Sequence, residues 1–168
     1  SWVYLDDNSQ YYGRYILSNY PTGLSFGVVG TESDALHSHL NIAIVPEGGY
    51  LTHYQLNSFP LTLNQWTHIV VTIDTEKIDW YINGSHVESE DLNIQNLSQE
   101  STLTDLVIGK GGSFSGGQYW SGSLDDIGIW NKILSPEDIQ LIYDNSVFPD
   151  ENLILFWDFN DGEGSTLI

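Results

Sequence analysis

Between Trp66 and Val87 the chain carries the pattern that most restricts its fold. Trp66-Thr67-His68-Ile69-Val70-Val71-Thr72-Ile73 is β-branched and aromatic, and Ile78, Trp80 and Ile82 follow at every second position, with polar residues 74–77 between the two runs. Period-two alternation of this kind predicts strands rather than a helix. Asn83-Gly84 then supplies a two-residue turn, whose central positions need positive φ, so a third strand returns antiparallel through Ser85-His86-Val87. Ile69, Val71 and Ile73 share one strand face, and Ile78, Trp80 and Ile82 share one face of the next. The opposite faces carry His68, Thr72, Asp79 and Tyr81. A sheet packed on one side and wet on the other suits a sandwich. His68 and Tyr81 are therefore expected on the outer, concave surface, where they are candidate ligand contacts.

The rest of the chain has the same character. Residues 2–5, 11–20, 24–29, 40–45 and 50–56 are strand-like, separated by turn-forming stretches such as Asp6-Asp7-Asn8, Pro21-Thr22-Gly23 and Glu47-Gly48-Gly49. Glu32 to His39 is expected as a polar loop, and Glu88 to Gln99 as irregular. Leu106-Val107-Ile108 should be a short buried strand. Ser135-Pro136-Glu137-Asp138 is a helix start, with an N-cap serine, proline at the first helical position and acids in the first turn. Ile139, Ile142 and Tyr143 give this helix an apolar stripe, predicting a helix over 136–144 packed at a sheet edge. The expected fold is all-β: a two-sheet antiparallel jelly-roll sandwich with one short helix near the C-terminus.

With 168 residues, 40% of them hydrophobic, the chain suffices for one domain. There is no cysteine, hence no disulfide and no thiolate metal site. Four Lys and Arg residues stand against 23 acidic ones, a formal charge of −19. Such a surface repels phosphate backbones, so nucleic acid and anionic membranes are poor partners. It suits solubility in a salty or extracellular medium, and it suits hard cations such as calcium, which take carboxylate and carbonyl oxygens. No run is long and apolar enough to span a bilayer. Opening on Ser1-Trp2-Val3-Tyr4-Leu5 without a basic, apolar leader, the sequence is expected to be a domain excised from something larger.

Two stretches together carry a family resemblance. Trp66-x-His68-Ile69-Val70-x-Thr72 with Trp80-Tyr81-Ile82-Asn83-Gly84 is one. The other is Ile108-Gly109, then Trp120-x-Gly122-x-Leu124-Asp125-Asp126-Ile127-x-Ile129-Trp130-Asn131, then Leu134-Ser135-x-Glu137-x-Ile139. The pair resembles laminin-G-like domains, of the concanavalin A-like lectin/glucanase superfamily. That resemblance implies a jelly roll and a non-catalytic carbohydrate-binding or adhesion module of a larger secreted or cell-surface protein. A structural or protein-interaction repeat without a glycan ligand is the alternative, and a glycoside hydrolase a lesser one. Partners are then a polysaccharide or glycan, or a protein. Residues 1–168 are expected as one such domain. In the family the tail, Leu153 to Gly164, resembles a segment that begins a domain, so residues 152–168 either supply an edge strand here or begin a following repeat.

Candidate functional residues are few. Tyr119 and Trp120, ending a glycine- and serine-rich loop, are placed for sugar contact. The loop lacks Gly-Lys-Ser/Thr and opens no helix, which excludes a phosphate cradle. Asp125 has the strand parity of Ile127 and Ile129, so it is expected to face the packed side, where an unpaired carboxylate is costly. Backbone N–H groups or a structural calcium would satisfy it, with Asp161 as a second calcium ligand; the resemblance implies such a calcium. Glu88 and Glu90 share one side of a strand and could act as paired carboxylates for glycoside hydrolysis. They lack the Glu-x-Asp-x-Glu pattern of related glucanases and apolar neighbours to raise one pKa, so a solvated surface is expected. His37 and His39 form a His-x-His pair, expected as polar surface.

Overall fold

The computed structural model describes residues 1–6, 13–19, 24–31, 34–45, 51–92, 106–111 and 118–160, without the side chains of residues 30–31 and 34–37. Its elements are β1 (Trp2–Leu5), β2 (Arg14–Ser18), β3 (Ser25–Thr31), β4 (Asp34–Ile44), β5 (Thr52–Leu61), β6 (Trp66–Ile73), β7 (Lys77–Ile82), β8 (Ser85–Asp91), β9 (Val107–Ile108), β10 (Gly122–Asp125), β11 (Ile127–Trp130), α1 (Pro136–Asn145) and β12 (Leu153–Trp157). Two five-stranded antiparallel sheets, β10-β1-β6-β7-β8 and β5-β4-β3-β2-β9, form the sandwich, and β11-β12 is a separate ribbon. The architecture is the all-β jelly roll, with one short helix.

The predicted meander is β6-β7-β8, with Ile69 opposite Ile82 and Val71 opposite Trp80. Asn83 and Gly84 both take positive φ, 48° and 78°, as a two-residue hairpin turn needs. Asp74 Oδ1 closes the other turn by accepting the N–H groups of Glu76 and Lys77 at 2.7 and 2.8 Å. Ile69, Ile78, Trp80 and Ile82 are buried against Phe26, Val28, Leu40, Ile42, Ile44 and Leu56 of the second sheet. This inter-sheet core is the main store of hydrophobic stabilisation.

Two boundaries differ from expectation for physical reasons. Residues 34–39 belong to β4 rather than to a loop, because pairing with β3 supplies the backbone hydrogen bonds that a polar sequence can accept as readily as an apolar one. β8 likewise continues through Asp91, registered on Lys77.

Helix α1 has its predicted cap: Ser135 accepts the Asp138 N–H at 3.1 Å, and Asp138 accepts the Ser135 N–H at 3.3 Å. It lies on a face of the first sheet, not at an edge. Ile139 and Ile142 form a second apolar cluster with Tyr81 and Leu134, with Val70, Trp130 and Phe148 packed against it. A Cβ on Gly84 would come within 2.8 Å of Gln140, which places the helix directly over the β7–β8 turn.

Candidate functional site

The helix decides the fate of two sequence candidates. Residues opposite in parity to Ile69 and Ile82 do face away from the main core, as expected, but that face is covered. His68 is 1% exposed, with its ring centroid 5.1 Å from Trp2 and 5.8 Å from Tyr143 of α1. Tyr81 is buried under Ile139 and Ile142. The expectation that both lie on an open surface is corrected by the docking of an amphipathic helix there.

Both His68 ring nitrogens are buried without a hydrogen-bond partner, and burial first, then the Ser1 amino charge, lowers its pKa to about 3. At the far end of this face Asp79 accepts from Lys77 at 2.6 Å and Ser89 at 2.6 Å, with His86 at 3.4 Å. An aromatic pair remains open at the other end, where Tyr4 and the exposed Trp66 have centroids 5.6 Å apart.

The pair Tyr119-Trp120 is split by the strand pleat. Tyr119 is 55% exposed, with Lys110 Nζ 5.6 Å from its ring centroid. Trp120 points the other way, partly buried on the main core, its indole N–H donating to the Ser123 carbonyl at 3.3 Å.

Asp125 does not have the parity expected of it. Asp126 adopts a left-handed φ of 49° between β10 and β11 and breaks the alternation. Asp125 lies opposite Trp2, half-buried, and its Oδ1 accepts the Asp126 N–H at 3.0 Å. Burial, then the charge of Asp125, raises the Asp126 pKa, with Asp158 adding to the rise. Asp161 lies outside the described residues. Among the described residues no three acidic or imidazole side chains converge as a metal cage, so a calcium at Asp125 would need carbonyls or residues beyond 160.

Glu88 and Glu90 are half-buried rather than fully solvated. They lie opposite Trp80 and Ile78 on the inward side of edge strand β8. Glu88 accepts from Ser58 of β5, and burial, then the Glu88 charge, raises the pKa of Glu90. Inward-pointing charge at an edge discourages further strand pairing there.

The second sheet presents a row that the sequence reading passed over. Leu40, Ile42 and Ile44 of β4 point to the core, so His39, Asn41 and Ala43 point outward. Register places Tyr15, Gly27, Asn41 and Gln55 side by side across β2, β3, β4 and β5, and Ser18, Ser25, Ala43 and His53 in the next row. At the usual strand spacing the first row spans about 14 Å.

Its members are polar and recessed. Asn41 is buried, its Oδ1 3.2 Å from His53 Nδ1 and its amide donating to the Tyr54 carbonyl at 3.2 Å. Ser18 and Ser25 hydroxyls lie 3.1 Å apart. Gln55 Nε2 is buried with no hydrogen-bond partner. A Cβ on Gly27 would meet the Arg14 carbonyl at 2.0 Å, so that position stays bare between Tyr15 and Asn41. Gly111 packs on the Tyr15 ring, which brings the Lys110–Tyr119 ribbon to the β2 end of the row. The available signal was the alternation Asn41/Ala43 and His53/Gln55 against buried Ile42 and Leu56.

A family model described as concanavalin A-like lectin/glucanases superfamily, of the laminin-G type, matches residues 1–140. The chain belongs to that superfamily. Among solved structures, this lectin/glucanase-type chain is similar to a proposed carbohydrate-binding protein from Bacteroides ovatus ATCC 8483. The TM-score is 0.71 at 18% identity, over 98% of this chain and 45% of that one. The chain thus spans less than half of that protein's length. An S-layer domain-containing protein from Clostridium thermocellum ATCC 27405 matches at a TM-score of 0.40 and 21% identity, over 80% of this chain and 64% of that one. No curated protein matches the sequence. No helix among the described residues is long and apolar enough to cross a membrane.

Proposed function

We propose that this lectin-type jelly roll is a non-catalytic carbohydrate-binding module of a larger secreted or cell-surface protein, taking an oligosaccharide along the Tyr15–Gly27–Asn41–Gln55 row. The observation that carries the reading is the buried, unpartnered Gln55 amide beside Asn41 and His53. A donor left without a partner is costly, and rotation of the half-buried Gln55 side chain would bring its amide to a sugar hydroxyl that accepts the bond. The resemblance in fold to a proposed carbohydrate-binding protein is consistent with it. Binding fits better than hydrolysis, because the Glu88–Glu90 pair faces inward between β5 and β8, away from the row. Tyr119, exposed near the end of the row, is the stacking surface carried over from the sequence reading.

A panel of β-glucans, xylan and mannan, immobilised and probed with the purified chain, tests the reading. At least one polysaccharide should be retained, and Gln55→Ala should weaken retention by about tenfold, as loss of one well-placed hydrogen bond implies. Unchanged retention by Gln55→Ala and Asn41→Ala would remove the site from this face.

We further propose a structural calcium at Asp125, its shell completed by Asp161 and backbone carbonyls; the cation would offset the charge of Asp125 beside Asp126. Melting in calcium should then exceed melting in chelator by several degrees, and Asp125→Ala should abolish the difference. Equal melting would leave Asp125 as a cap on the Asp126 N–H.

A further inference from the structure

Strand β12 is built for burial on both faces and is not buried. Leu153-Ile154-Leu155-Phe156-Trp157 is a continuous apolar run, the composition of a strand covered on both sides. Yet Ile154 is 57%, Leu155 39% and Phe156 37% exposed. Val147 is also exposed, next to Phe148, whose ring centroid is 4.4 Å from that of Phe156.

On one edge β12 pairs with β11, Gly128 facing Phe156 and Ile129 facing Leu155. Its other edge carries no strand among the described residues; away from the β11 ladder, the Leu153 N–H donates to the Asp150 carbonyl at 3.2 Å, closing the turn that enters the strand. An apolar strand with one free edge is a template for pairing. The inward Glu88 and Glu90 guard the β8 edge of the first sheet, and nothing comparable stands on β12.

The charges at its ends say what kind of strand fits. Asp150 and Glu151 precede β12 and Asp158 follows it, all exposed. Lys132 compensates one of them, 3.1 Å from Glu151. A second copy of this chain is disfavoured in either orientation. Antiparallel self-pairing sets the Asp150–Glu151 end of one strand against Asp158 of the other, parallel self-pairing sets like ends together, and each copy brings a charge of −19. We propose that the free edge of β12 is a docking surface for an extended segment of another polypeptide, apolar at its centre and bracketed by Lys or Arg at its ends. Main-chain hydrogen bonds supply the pairing and the acidic ends its selectivity.

Two synthetic peptides test this on the full chain by fluorescence anisotropy: one of alternating Val and Thr between lysine pairs, one of the same centre between glutamate pairs. The lysine peptide should bind at least tenfold more tightly, weaken with added salt and lose at least tenfold on Ile154→Lys. Thermal melting of that variant establishes that it is folded. N-methylation of alternate peptide amides should abolish binding, since it removes the ladder donors. Equal binding of the two peptides, or none by either, overturns the proposal. So does a dimer of the chain alone in analytical ultracentrifugation that Ile154→Lys dissolves, since the occupant is then a second copy.

Discussion

His68 shows most plainly what one residue can report. Its imidazole sits between Trp2 and Tyr143 with neither nitrogen bonded, and burial, ahead of the Ser1 amino charge, depresses its pKa to about 3. Above the unfolded value of about 6.5 the ring is neutral in both states. Below it the unfolded chain takes up a proton that the folded chain refuses, so stability falls as pH drops from about 6.5 towards 3. The slope from this group approaches roughly 1.4 kcal/mol per pH unit within that window. Urea midpoints at pH 7 and pH 4 should therefore diverge less for His68→Phe than for the native chain, the carboxylates being common to both; equal divergence would mean the ring is solvated. Residue parity was legible in the sequence, since His68 and Tyr81 do oppose Ile69 and Ile82. What covers them was not, because helix docking is a contact between segments far apart in the chain. Asp125 was misplaced by a single left-handed residue, Asp126, which period-two reasoning has no means to see.

At the scale of elements, local chemistry was the better guide where a cap or turn dipeptide fixed the backbone. Ser135 and Asn83-Gly84 did so, and α1 and the β7–β8 hairpin stand where they were expected. The start of β4 was hidden because Glu32 to His39 is polar, while strand pairing is decided by the partner β3. Asn41 fell inside the expected strand over 40–45; what stayed hidden was its register with Gly27 and Gln55 on neighbouring strands. Helix α1 holds the outer face of the first sheet through Ile139 and Ile142, both fully buried. Ile139→Ala should cost about 2–5 kcal/mol in chemical denaturation, as large-to-small core changes do. It should also raise the quenching of Trp2 fluorescence by acrylamide, since Tyr143 stacks 5.6 Å from that ring. A loss below about 1 kcal/mol would mean the helix is an appendage rather than a layer of the fold.

For the whole molecule, the two sheets divide the labour. The first is closed by α1 on its outer side, so its aromatic residues are spent on packing, apart from the Tyr4–Trp66 end. The second keeps a recessed polar row across four strands, and the carbohydrate-binding reading rests there. Jelly-roll class was legible because alternation, turns and a single capped helix all agree, a consistency across levels that marks a well-specified fold. The proposed binding face was less legible because sheet register, which brings Tyr15, Asn41 and Gln55 together, is a property of pairing between distant strands. Amide chemical-shift mapping during titration with an oligosaccharide of a polysaccharide retained in the panel shows where the ligand sits. The largest shifts are expected at Gly27, Asn41 and the Gln55 side-chain amide, with Tyr15 and Tyr119 marking the end of the row. Shifts confined to Tyr4 and Trp66, or to the ribbon at Lys110 and Tyr119 alone, would contradict that placement.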